Sequence, residues 1–379
     1  MTLPLSGLTV IAVEQAVAAP FCTARLADAG ARVIKIERPE GDFARGYDDA
    51  LPAGSSYFVW LNRGKESVVL DLTQETARAQ LAALIADADI VVQNLKPGAM
   101  TRMGLDIAEL CRAHPRLICC SISGYGETGP LADRKAYDLL VQAESGLASI
   151  TGGPQEPSRV GISVVDIATG AMAYEAILEA LIVRGKTNKG ADIRLSLFDT
   201  IAEWLAVPLL NAEAGKPPKR MGLAHPSIAP YGVFEAADTR QVLISIQSER
   251  EWRILCNDVL QKPEFLEDAR FTNNVERVKH RAETDAAVAA AFRQWPGAVL
   301  IKRLDSAGIA FAELNDLKAL STHPHLRRIS VETEAGPAAI PAPPAIIVGV
   351  NKSYGKVPAL GEHTTRVLGA LDKMKVGGP

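Results

Sequence analysis

Asp166 is the side chain whose surroundings most favour covalent chemistry. It interrupts an apolar run, with Val165 before it and Ile167 after it, just ahead of a small-residue stretch that predicts a helix start. An Asp at a helix start commonly accepts backbone N–H groups, which stabilises the helix by ~1 kcal/mol. At the edge of an apolar, narrow site the same carboxylate can act as a nucleophile, and a helix N-terminus would keep it ionised. The residues alone leave both functions of Asp166 open.

Isolated cations after several predicted strands indicate a site for anionic groups. They are Arg38, Lys96, Arg102, Arg134 and Lys135. One such charge alone is typical of a solvated surface. Several that converge on one crevice can hold phosphates, and the planar guanidinium of an Arg can stack on an adenine. His225, in a proline-bounded segment, either faces a crevice or is an ordinary hydrogen-bonded loop histidine.

Other catalytic motifs fit poorly. Residues 124–129 match G-x-G-x-x-G, but Pro130 follows and no helical pattern begins there, as a dinucleotide fingerprint requires. The first strand–helix turn, residues 14–20, contains no glycine. The neighbourhood of Ser163 lacks the second glycine of a G-x-S-x-G nucleophile elbow. A nicotinamide or flavin enzyme and a serine hydrolase are therefore both disfavoured.

Composition and charge argue against several other classes. The chain has 379 residues and a net charge of −3, with Lys and Arg scattered, so it carries no electrostatic footprint for nucleic acid or an anionic membrane. Five cysteines without a C-x-x-C pair are typical of reduced thiols, and their spacing predicts no metal site. The N-terminus lacks the pattern of a secretory signal, and no long apolar stretch follows. We therefore expect a cytoplasmic protein without a membrane span.

The elements that must position these residues alternate between strand and helix, which predicts an α/β fold with an open, Rossmann-like parallel sheet covered on both faces. The predicted strands are 8–13, 31–36, 67–72, 89–94, 116–122 and 192–198, and the predicted helices are 20–29, 74–87, 107–113 and 168–184. The ligand crevice of such a sheet lies at the carboxyl ends of its strands, among loops 14–19, 38–46, 94–98 and 124–130.

Length and a change of texture along the chain predict two domains. Residues 1–200 together with 326–379 are expected to form the large Rossmann-like domain, 201–226 a linker, and 227–325 a smaller α+β domain. The proline-rich segment 336–344 predicts an extended, wrapping linker.

An ordered set of motifs along nearly the whole chain resembles the family III CoA-transferases, the CaiB/BaiF type. The motifs are Ala19–Cys22, Leu26–Pro39, Asn94–Gly98, Gly124–Gly126, Tyr137–Asp138, Asp166 with Thr169–Gly170, and Gly361–Thr365. The resemblance implies a transferase that forms an interlocked homodimer, with Asp166 as its nucleophile. It also implies coenzyme A or an acyl-CoA as a substrate, without a metal or a permanently bound cofactor.

The resemblance, matched residue by residue, also implies the CoA site. Its members are Val17, Ala18, Arg38, Leu70, Asp71, Leu72, Thr73, Asn94, Leu95, Lys96, Arg102, Lys135, Ala136, Tyr137 and Asp138. Arg38 is expected at the adenine. Arg45 and His225 are candidates to bind the distal carboxylate of an acid substrate.

Two departures from formyl-CoA transferase bear on the substrate. This chain has Val17 in place of a glutamine and lacks a glycine-rich loop near His225, so formyl-CoA and oxalate are not the expected substrates. Segment 220–231 instead resembles members that act on succinate, glutarate, citramalate or mesaconate. We therefore expect CoA transfer from an acyl-CoA, with succinyl-CoA as the expected donor, to a dicarboxylic acid of four to six carbons through an aspartyl-CoA thioester.

Two alternative functions remain open. The related 2-methylacyl-CoA racemases have a histidine where this chain has Tyr137, and tyrosine, with an ordinary pKa near 10, is a poor base at neutral pH. A racemase would therefore need a different base. The other alternative is a CoA-binding protein without catalytic activity.

Overall fold

The computed structural model describes residues 3–376. Its strands are β1 Thr9–Val13, β2 Arg32–Glu37, β3 Lys65–Val69, β4 Ile90–Gln93, β5 Ile118–Ser123, β6 Ala191–Ser196, β7 Tyr231–Glu235, β8 Gln241–Ser245, β9 Ala310–Glu313, β10 Arg328–Thr333 and β11 Gly336–Pro341. Its helices are α1 Ala18–Asp28, α2 Ser56–Leu61, α3 Glu75–Ala86, α4 Ala99–Arg102, α5 Ile107–Ala113, α6 Asp138–Glu144, α7 Leu147–Ile150, α8 Val164–Thr187, α9 Leu197–Trp204, α10 Ala206–Glu213, α11 Glu249–Ile254, α12 Asn274–Lys279, α13 Arg281–Phe292, α14 Gly297–Ser306, α15 Leu317–Ser321 and α16 Thr364–Val376. Within residues 3–376, none of the helices combines the length and apolar composition that a membrane span requires.

Six strands form one parallel sheet in the order β3-β2-β1-β4-β5-β6, which confirms the predicted α/β fold. Val10 of β1 lies beside Val33 of β2 on one side and Ile90 of β4 on the other. The strand order reverses between β1 and β4. The helices that follow these two strands therefore pack on opposite faces of the sheet, which leaves a crevice at its carboxyl edge.

Alternate side chains of β1 enter two different cores. Val10 and Ala12 pack in one cluster with Ile177 of α8. Ile11 and Val13 pack in a second cluster that includes side chains of α3. Because both faces are buried, β1 is a continuous apolar run instead of an alternation of polar and apolar residues.

The described residues form two compact units. The first comprises the chain up to Leu147, Arg159–Val207, and the part from Arg327 onward, and it contains the parallel sheet. The second comprises Ala148–Ser158 and Pro208–Leu326, with an antiparallel sheet in the order β7-β8-β9 and its own core. The domain boundaries drawn from the sequence stay a prediction.

Two predicted elements were wrong. Helix α8 begins at Val164, not at residue 168, because a carboxylate from α6, described below, accepts its first N–H groups. The proline-rich segment 336–344 is not a linker, since its first six residues are strand β11, paired antiparallel with β10. Both strands of a two-stranded sheet are edge strands, where the missing N–H groups of Pro337 and Pro341 are tolerated.

Candidate active site

A cavity of about 560 Å³ opens at the carboxyl edge of the parallel sheet. The loops after β1 and β4 form one of its walls and are bonded to each other. The Asn94 side chain accepts the Gln15 N–H at 2.9 Å and donates to the Gln15 carbonyl at 2.9 Å. The loop after β5 and the start of α8 add further lining, and they bring Asp166 into the cavity.

Asp166 is the third residue of α8, but its side chain does not cap this helix. Asp138, at the start of α6, does so, since its Oδ1 accepts the N–H groups of Val165 and Asp166 at 2.7 and 3.2 Å. In the described part of the chain, no group donates a hydrogen bond to the Asp166 carboxylate. The capping function considered for Asp166 is thus carried out by Asp138, which leaves the Asp166 oxygens available for chemistry.

The electrostatic surroundings of Asp166 oppose its ionisation. Burial, followed by the negative charge of Asp138, raises the pKa of Asp166 to about 7. The expectation that the helix N-terminus keeps this carboxylate ionised was wrong, because desolvation and Asp138 outweigh the partial positive charge of the helix end. A more basic carboxylate is a stronger nucleophile once ionised, and perturbed acids of this kind are typical of active sites.

The start of α1 packs directly against α8, one turn beyond Asp166. A Cβ atom on Gly170 would lie 2.4 Å from the Ala18 carbonyl oxygen and 2.9 Å from the Phe21 Cβ, so this approach requires glycine. Val17 and Ala18 line the cavity, and within residues 3–376 their backbone N–H groups have no acceptor. Unbonded N–H groups at a helix start are suited to stabilise negative charge on a substrate oxygen.

Four positively charged side chains also line this cavity: Lys96, Arg134, Lys135 and Arg159. Lys96 pairs with Asp133 at 3.2 Å and Arg134 with Glu144 at 3.2 Å, and both pairs are exposed. Exposed pairs of this kind stabilise a structure by only ~0–1 kcal/mol, so an anionic ligand can displace them at little cost.

Three aromatic rings in the cavity were not predicted from the sequence. Phe43, Tyr47 and Tyr57 form a chain of ring contacts, with centroids 5.6 and 5.4 Å apart. Burial, together with nearby Asp42 and Asp166, raises the pKa of Tyr47 to about 12, so its hydroxyl keeps its proton at neutral pH. The sequence did contain a signal for this cluster. Several aromatic residues occur close together from residue 43 to 57, without the spacing that a helix or a strand would give them.

A second cavity, of about 650 Å³, adjoins the first. It is lined by Arg38, which was predicted at the adenine of CoA, and by residues 70–73, which were predicted to bind CoA. Gln15 and Leu95 line both cavities, so the two adjoin at these residues. The other predicted CoA residues line the first cavity, except Arg102: these are Val17, Ala18, Asn94, Leu95, Lys96, Lys135, Ala136, Tyr137 and Asp138.

Three predicted site residues lie outside the linings of both cavities. Arg102 ends the short helix α4. Arg45 donates from Nε and Nη2 to the two carboxylate oxygens of Glu37, each at 2.8 Å, so its charge is already paired. His225 belongs to the second unit, where its ring stacks on Tyr231 and its Nδ1 accepts the Ser227 N–H at 3.1 Å.

No group of three side chains suited to hold a metal ion occurs in the part of the chain that the structure describes.

The sequence profile of CoA-transferase family III matches residues 5–364. The chain belongs to this family. Its expected assignment as a CoA-transferase of the CaiB/BaiF type is thereby confirmed.

Two curated members of the family illustrate the similarity. The acetyl-CoA:oxalate CoA-transferase of Acetobacter aceti is 37% identical over 366 residues, which cover 95% of this chain and 94% of that protein. The succinate–glutarate CoA-transferase of Agrobacterium fabrum is 34% identical over 389 residues, which cover 98% and 96%. Both relatives are similar over essentially their whole length.

A solved structure agrees with these sequence matches. The crystal structure of a CAIB/BAIF family protein from Brucella suis superposes with a TM-score of 0.84 at 34% identity. The superposition covers 98% of this chain and 100% of that chain. The architecture described above is therefore that of the family.

Proposed function

We propose that this family III CoA-transferase moves CoA from an acyl-CoA to a small dicarboxylic acid through covalent intermediates on Asp166. The observation that carries the proposal is the state of the Asp166 carboxylate. It lies on a cavity wall, is half-buried, and accepts no hydrogen bond from the described residues. The same cavity is lined by Val17 and Ala18, whose N–H groups at the start of α1 have no acceptor among the described residues.

The reaction conserves the thioester bond energy in four steps. Asp166 attacks the thioester carbonyl of the donor, and the CoA thiolate leaves as an acyl-aspartyl anhydride forms. The thiolate then attacks the Asp166 carbonyl carbon, which releases the donor acid and leaves an aspartyl-CoA thioester. The acceptor carboxylate attacks this thioester and gives a second anhydride with free thiolate. The thiolate finally attacks the acceptor acyl carbon, which releases the new acyl-CoA and restores Asp166.

The site supplies what these steps require. Each attack places negative charge on a carbonyl oxygen, and the N–H groups of Val17 and Ala18 can donate to it. The Tyr47 hydroxyl, which keeps its proton, is a further donor on the cavity wall. The aromatic rings limit the access of water, which would otherwise hydrolyse the anhydrides.

CoA is expected to occupy the two adjoining cavities. The adenine end lies near Arg38 and residues 70–73, and the pantetheine arm passes Gln15 and Leu95. The thioester then reaches Asp166. The cations of the first cavity, above all Lys135, neutralise phosphate or carboxylate groups at its mouth.

The acid substrate is proposed as a dicarboxylate, since the two relatives above are named for oxalate and glutarate. The similarity to an oxalate enzyme does not support the expectation drawn from Val17, so oxalate belongs among the acids to test. Within the cavity, Arg159 and Lys135 are better placed for the distal carboxylate than Arg45, whose guanidinium is bound to Glu37. Succinyl-CoA remains the expected donor.

We also expect the homodimer that the family resemblance implies. Several large apolar side chains along α9 and α10 are exposed, among them Trp204 at 56%, Val207 at 68% and Leu210 at 64%. A subunit interface would cover such a surface. Analytical ultracentrifugation at micromolar concentration should give twice the mass of the chain, and a monomer would contradict this expectation.

Chemical trapping tests the proposed function. The enzyme is incubated with succinyl-CoA without an acceptor acid, then treated with hydroxylamine and digested. We expect a hydroxamate at Asp166, on the peptide that spans residues 160–184, and none in the Asp166→Ala variant. An unmodified peptide in an enzyme that is turning over would contradict the covalent route.

A panel of acceptor acids identifies the substrate. Oxalate, malonate, succinate, glutarate, mesaconate and citramalate are tested with succinyl-CoA and acetyl-CoA as donors. Exchange of the α-proton of a 2-methylacyl-CoA in deuterated water, without an added acid, would instead favour the racemase.

A further inference from the structure

The turn between β1 and α1 contains an unusual backbone conformation. Ala16 has φ of 64°, in the left-handed region that a non-glycine residue adopts at a cost of roughly 1–2 kcal/mol. This turn lines the cavity that holds Asp166, and the two residues that follow it carry the unbonded N–H groups. The conformation of Ala16 therefore sets where these N–H groups lie.

Two side chains from other loops hold the turn in place. Asp42 accepts the Ala16 N–H on Oδ1 at 3.1 Å, and Asn94 binds both backbone groups of Gln15. The same Oδ1 of Asp42 also accepts the Ala44 N–H at 2.9 Å. Asp42 thus joins the turn after β1 to the segment that carries the aromatic rings of the cavity.

Behind the turn, Asp42 belongs to a buried charge cluster of four residues, Glu14, Lys35, Asp42 and Lys65. Lys35 Nζ lies 2.8 Å from Asp42 Oδ2 and 3.4 Å from Glu14 Oε1, and Lys65 Nζ lies 2.7 Å from the same Glu14 oxygen. All four side chains are buried, and the two positive and two negative charges balance.

Both lysines of the cluster keep their charge at neutral pH, although burial lowers the pKa of Lys65 to about 8. Burial disfavours a charged Lys35, but the carboxylates of Glu14 and Asp42 outweigh burial and raise the pKa of Lys35 above its ordinary value. Glu14 also accepts the Thr23 hydroxyl of α1 at 2.6 Å, so the cluster holds the strand end and the helix as well as the turn. Breaking one partner of a buried pair leaves an uncompensated charge, so the geometry is strongly determined.

We infer that Asp42 is a positioning residue for acyl transfer. Held by Lys35, it keeps Ala16 in the left-handed conformation and thereby fixes the Val17 and Ala18 N–H groups in the lining of the cavity that holds Asp166. The inference rests on the proposed function, in which those N–H groups stabilise the oxygen charge of each addition step. Asp42 itself does not touch the reacting atoms.

The test compares Asp42→Ala with the double variant Asp42→Ala/Ala16→Gly. Asp42→Ala should lower kcat by about 10–100-fold, because misplaced donors weaken only transition-state binding, and should change the KM for acyl-CoA by less than about threefold. Glycine adopts the left-handed conformation without the cost that alanine has, so Ala16→Gly should restore kcat about 3–10-fold in the Asp42→Ala background. Activities are measured at a temperature where circular dichroism shows every variant folded.

Asp238→Ala is the matched control. Asp238 also accepts a backbone N–H, that of Gly297 at 3.0 Å, but it lies in the second unit. Its removal should leave kcat unchanged. If Asp42→Ala does not fold, Asp42→Asn replaces it, since asparagine keeps an acceptor for the Ala16 N–H while it loses the charge that faces Lys35. A smaller loss of kcat, again restored by Ala16→Gly, is then expected.

The outcomes separate this inference from the proposed function. Unchanged kcat in the folded Asp42 variants, or a loss that Ala16→Gly does not restore, would overturn the positioning role while hydroxamate still forms at Asp166. If wild-type enzyme gives no hydroxamate, the proposed function itself fails. A loss confined to KM would mean that Asp42 shapes the binding of CoA and would also overturn the inference.

Discussion

Two walls of the Asp166 cavity are built in different ways. The wall formed by the loops after β1 and β4 is fastened by hydrogen bonds of 2.9–3.1 Å to Asn94 and Asp42, and Asp42 is anchored in a buried charge cluster. The wall formed by residues 133–137 depends on exposed ion pairs, and Tyr137 is 58% exposed. The first wall is fixed by contacts within the protein, whereas the second has few.

The difference assigns different tasks to the two walls. Stabilising an oxygen charge requires donors held in place before the reaction, which suits the fixed wall. Accepting acids of different length requires side chains that can move at little cost, which suits the exposed wall. Changes to the fixed wall should therefore affect kcat, and changes to the exposed wall should affect KM.

Replacing Asp166 tests whether the two walls can support CoA transfer without the nucleophile. Asp166→Asn should lower kcat by at least about 1,000-fold, because no covalent intermediate can form. Steady-state transfer from succinyl-CoA to the best acid of the panel measures the effect. Asp199→Asn, an exchange in α9 of the same unit, serves as the control. If Asp166→Asn kept more than a tenth of wild-type activity, the covalent role of Asp166 would be contradicted, and the two walls could not be compared as parts of its site.

The approach of α1 to α8 should be sensitive to one methyl group. Gly170→Ala places a Cβ against the Ala18 carbonyl oxygen and Phe21, and should lower the free energy of unfolding by about 2–3 kcal/mol. Gly185→Ala is the matched control in the same helix, with no atom within 4 Å of the new Cβ. It should raise stability by about 0.5–1 kcal/mol. Equal urea midpoints for the two variants would contradict the packing described here.

Asn94 tests the fixed wall directly. Asn94→Ala removes both bonds to Gln15 and should lower kcat by about 10–100-fold, with a smaller change in KM. Asn273→Ala, which removes a cap from α12 in the second unit, should leave kcat unchanged. An effect of Asn94→Ala on KM alone would mean that the fixed wall binds substrate but does not assist the chemistry.

The pH dependence should report the ionisation of Asp166. The ionised form is the nucleophile, so kcat/KM should fall about tenfold per pH unit below about 7 and level off above it. An apparent pKa near the ordinary 3.8 would show that the cavity does not desolvate this carboxylate.

The raised pKa of Asp166 should also make the stability of the protein depend on pH. The pKa of Asp166 is higher in the folded protein than in the unfolded chain. The contribution of Asp166 to the free energy of unfolding is therefore largest below about pH 3.8 and is lost as the pH rises toward 7. Asp166→Asn should therefore be more stable than wild type at pH 8, and this advantage should shrink as the pH falls toward 5. Thermal unfolding of both proteins at the two pH values measures it.

Lys135 tests the exposed wall and should give the smallest effect. Lys135→Ala should raise the KM for the acid or for acyl-CoA about 3–10-fold with little change in kcat, and the difference should shrink at high salt. Lys189→Ala, outside both cavity linings, is the control. A loss of kcat instead would contradict the division of tasks between the two walls.

Much of the fold was predictable because its signals are local. Helix α5 was predicted with its observed bounds, since Asp106 caps it and its apolar residues recur at helical spacing. Helix α2 was not predicted, because its six residues are too few to show a period. The β10–β11 hairpin was missed because its prolines argue against a strand unless the strand lies at an edge.

The site was less predictable, because its decisive contacts join distant residues. Asp166 could be singled out from its neighbours, but the bond of Asp138 to the start of α8 spans 27 residues. The raised pKa of Asp166 depends on that same contact and on burial, so the sequence suggested the opposite direction. Tyr47 and Tyr57 lie in a part of the sequence without helical or strand spacing. Only the fold brings the loop of Tyr47 and the short helix α2 of Tyr57 to the cavity.

One isotope experiment tests the covalent role of Asp166 most directly. The enzyme is given acyl-CoA and an acceptor acid whose carboxylate oxygens carry a heavy isotope, and the peptide that contains Asp166 is then weighed. The second anhydride bridges Asp166 and the acceptor through one labelled oxygen, which stays on Asp166 when the thiolate attacks the acceptor acyl carbon. We predict one heavy oxygen in the Asp166 side chain after a single turnover. Repeated turnover should add a second, because in each cycle the oxygen with which Asp166 attacks the donor leaves with the donor acid. An unlabelled Asp166 in an enzyme that has formed the new acyl-CoA would contradict the account.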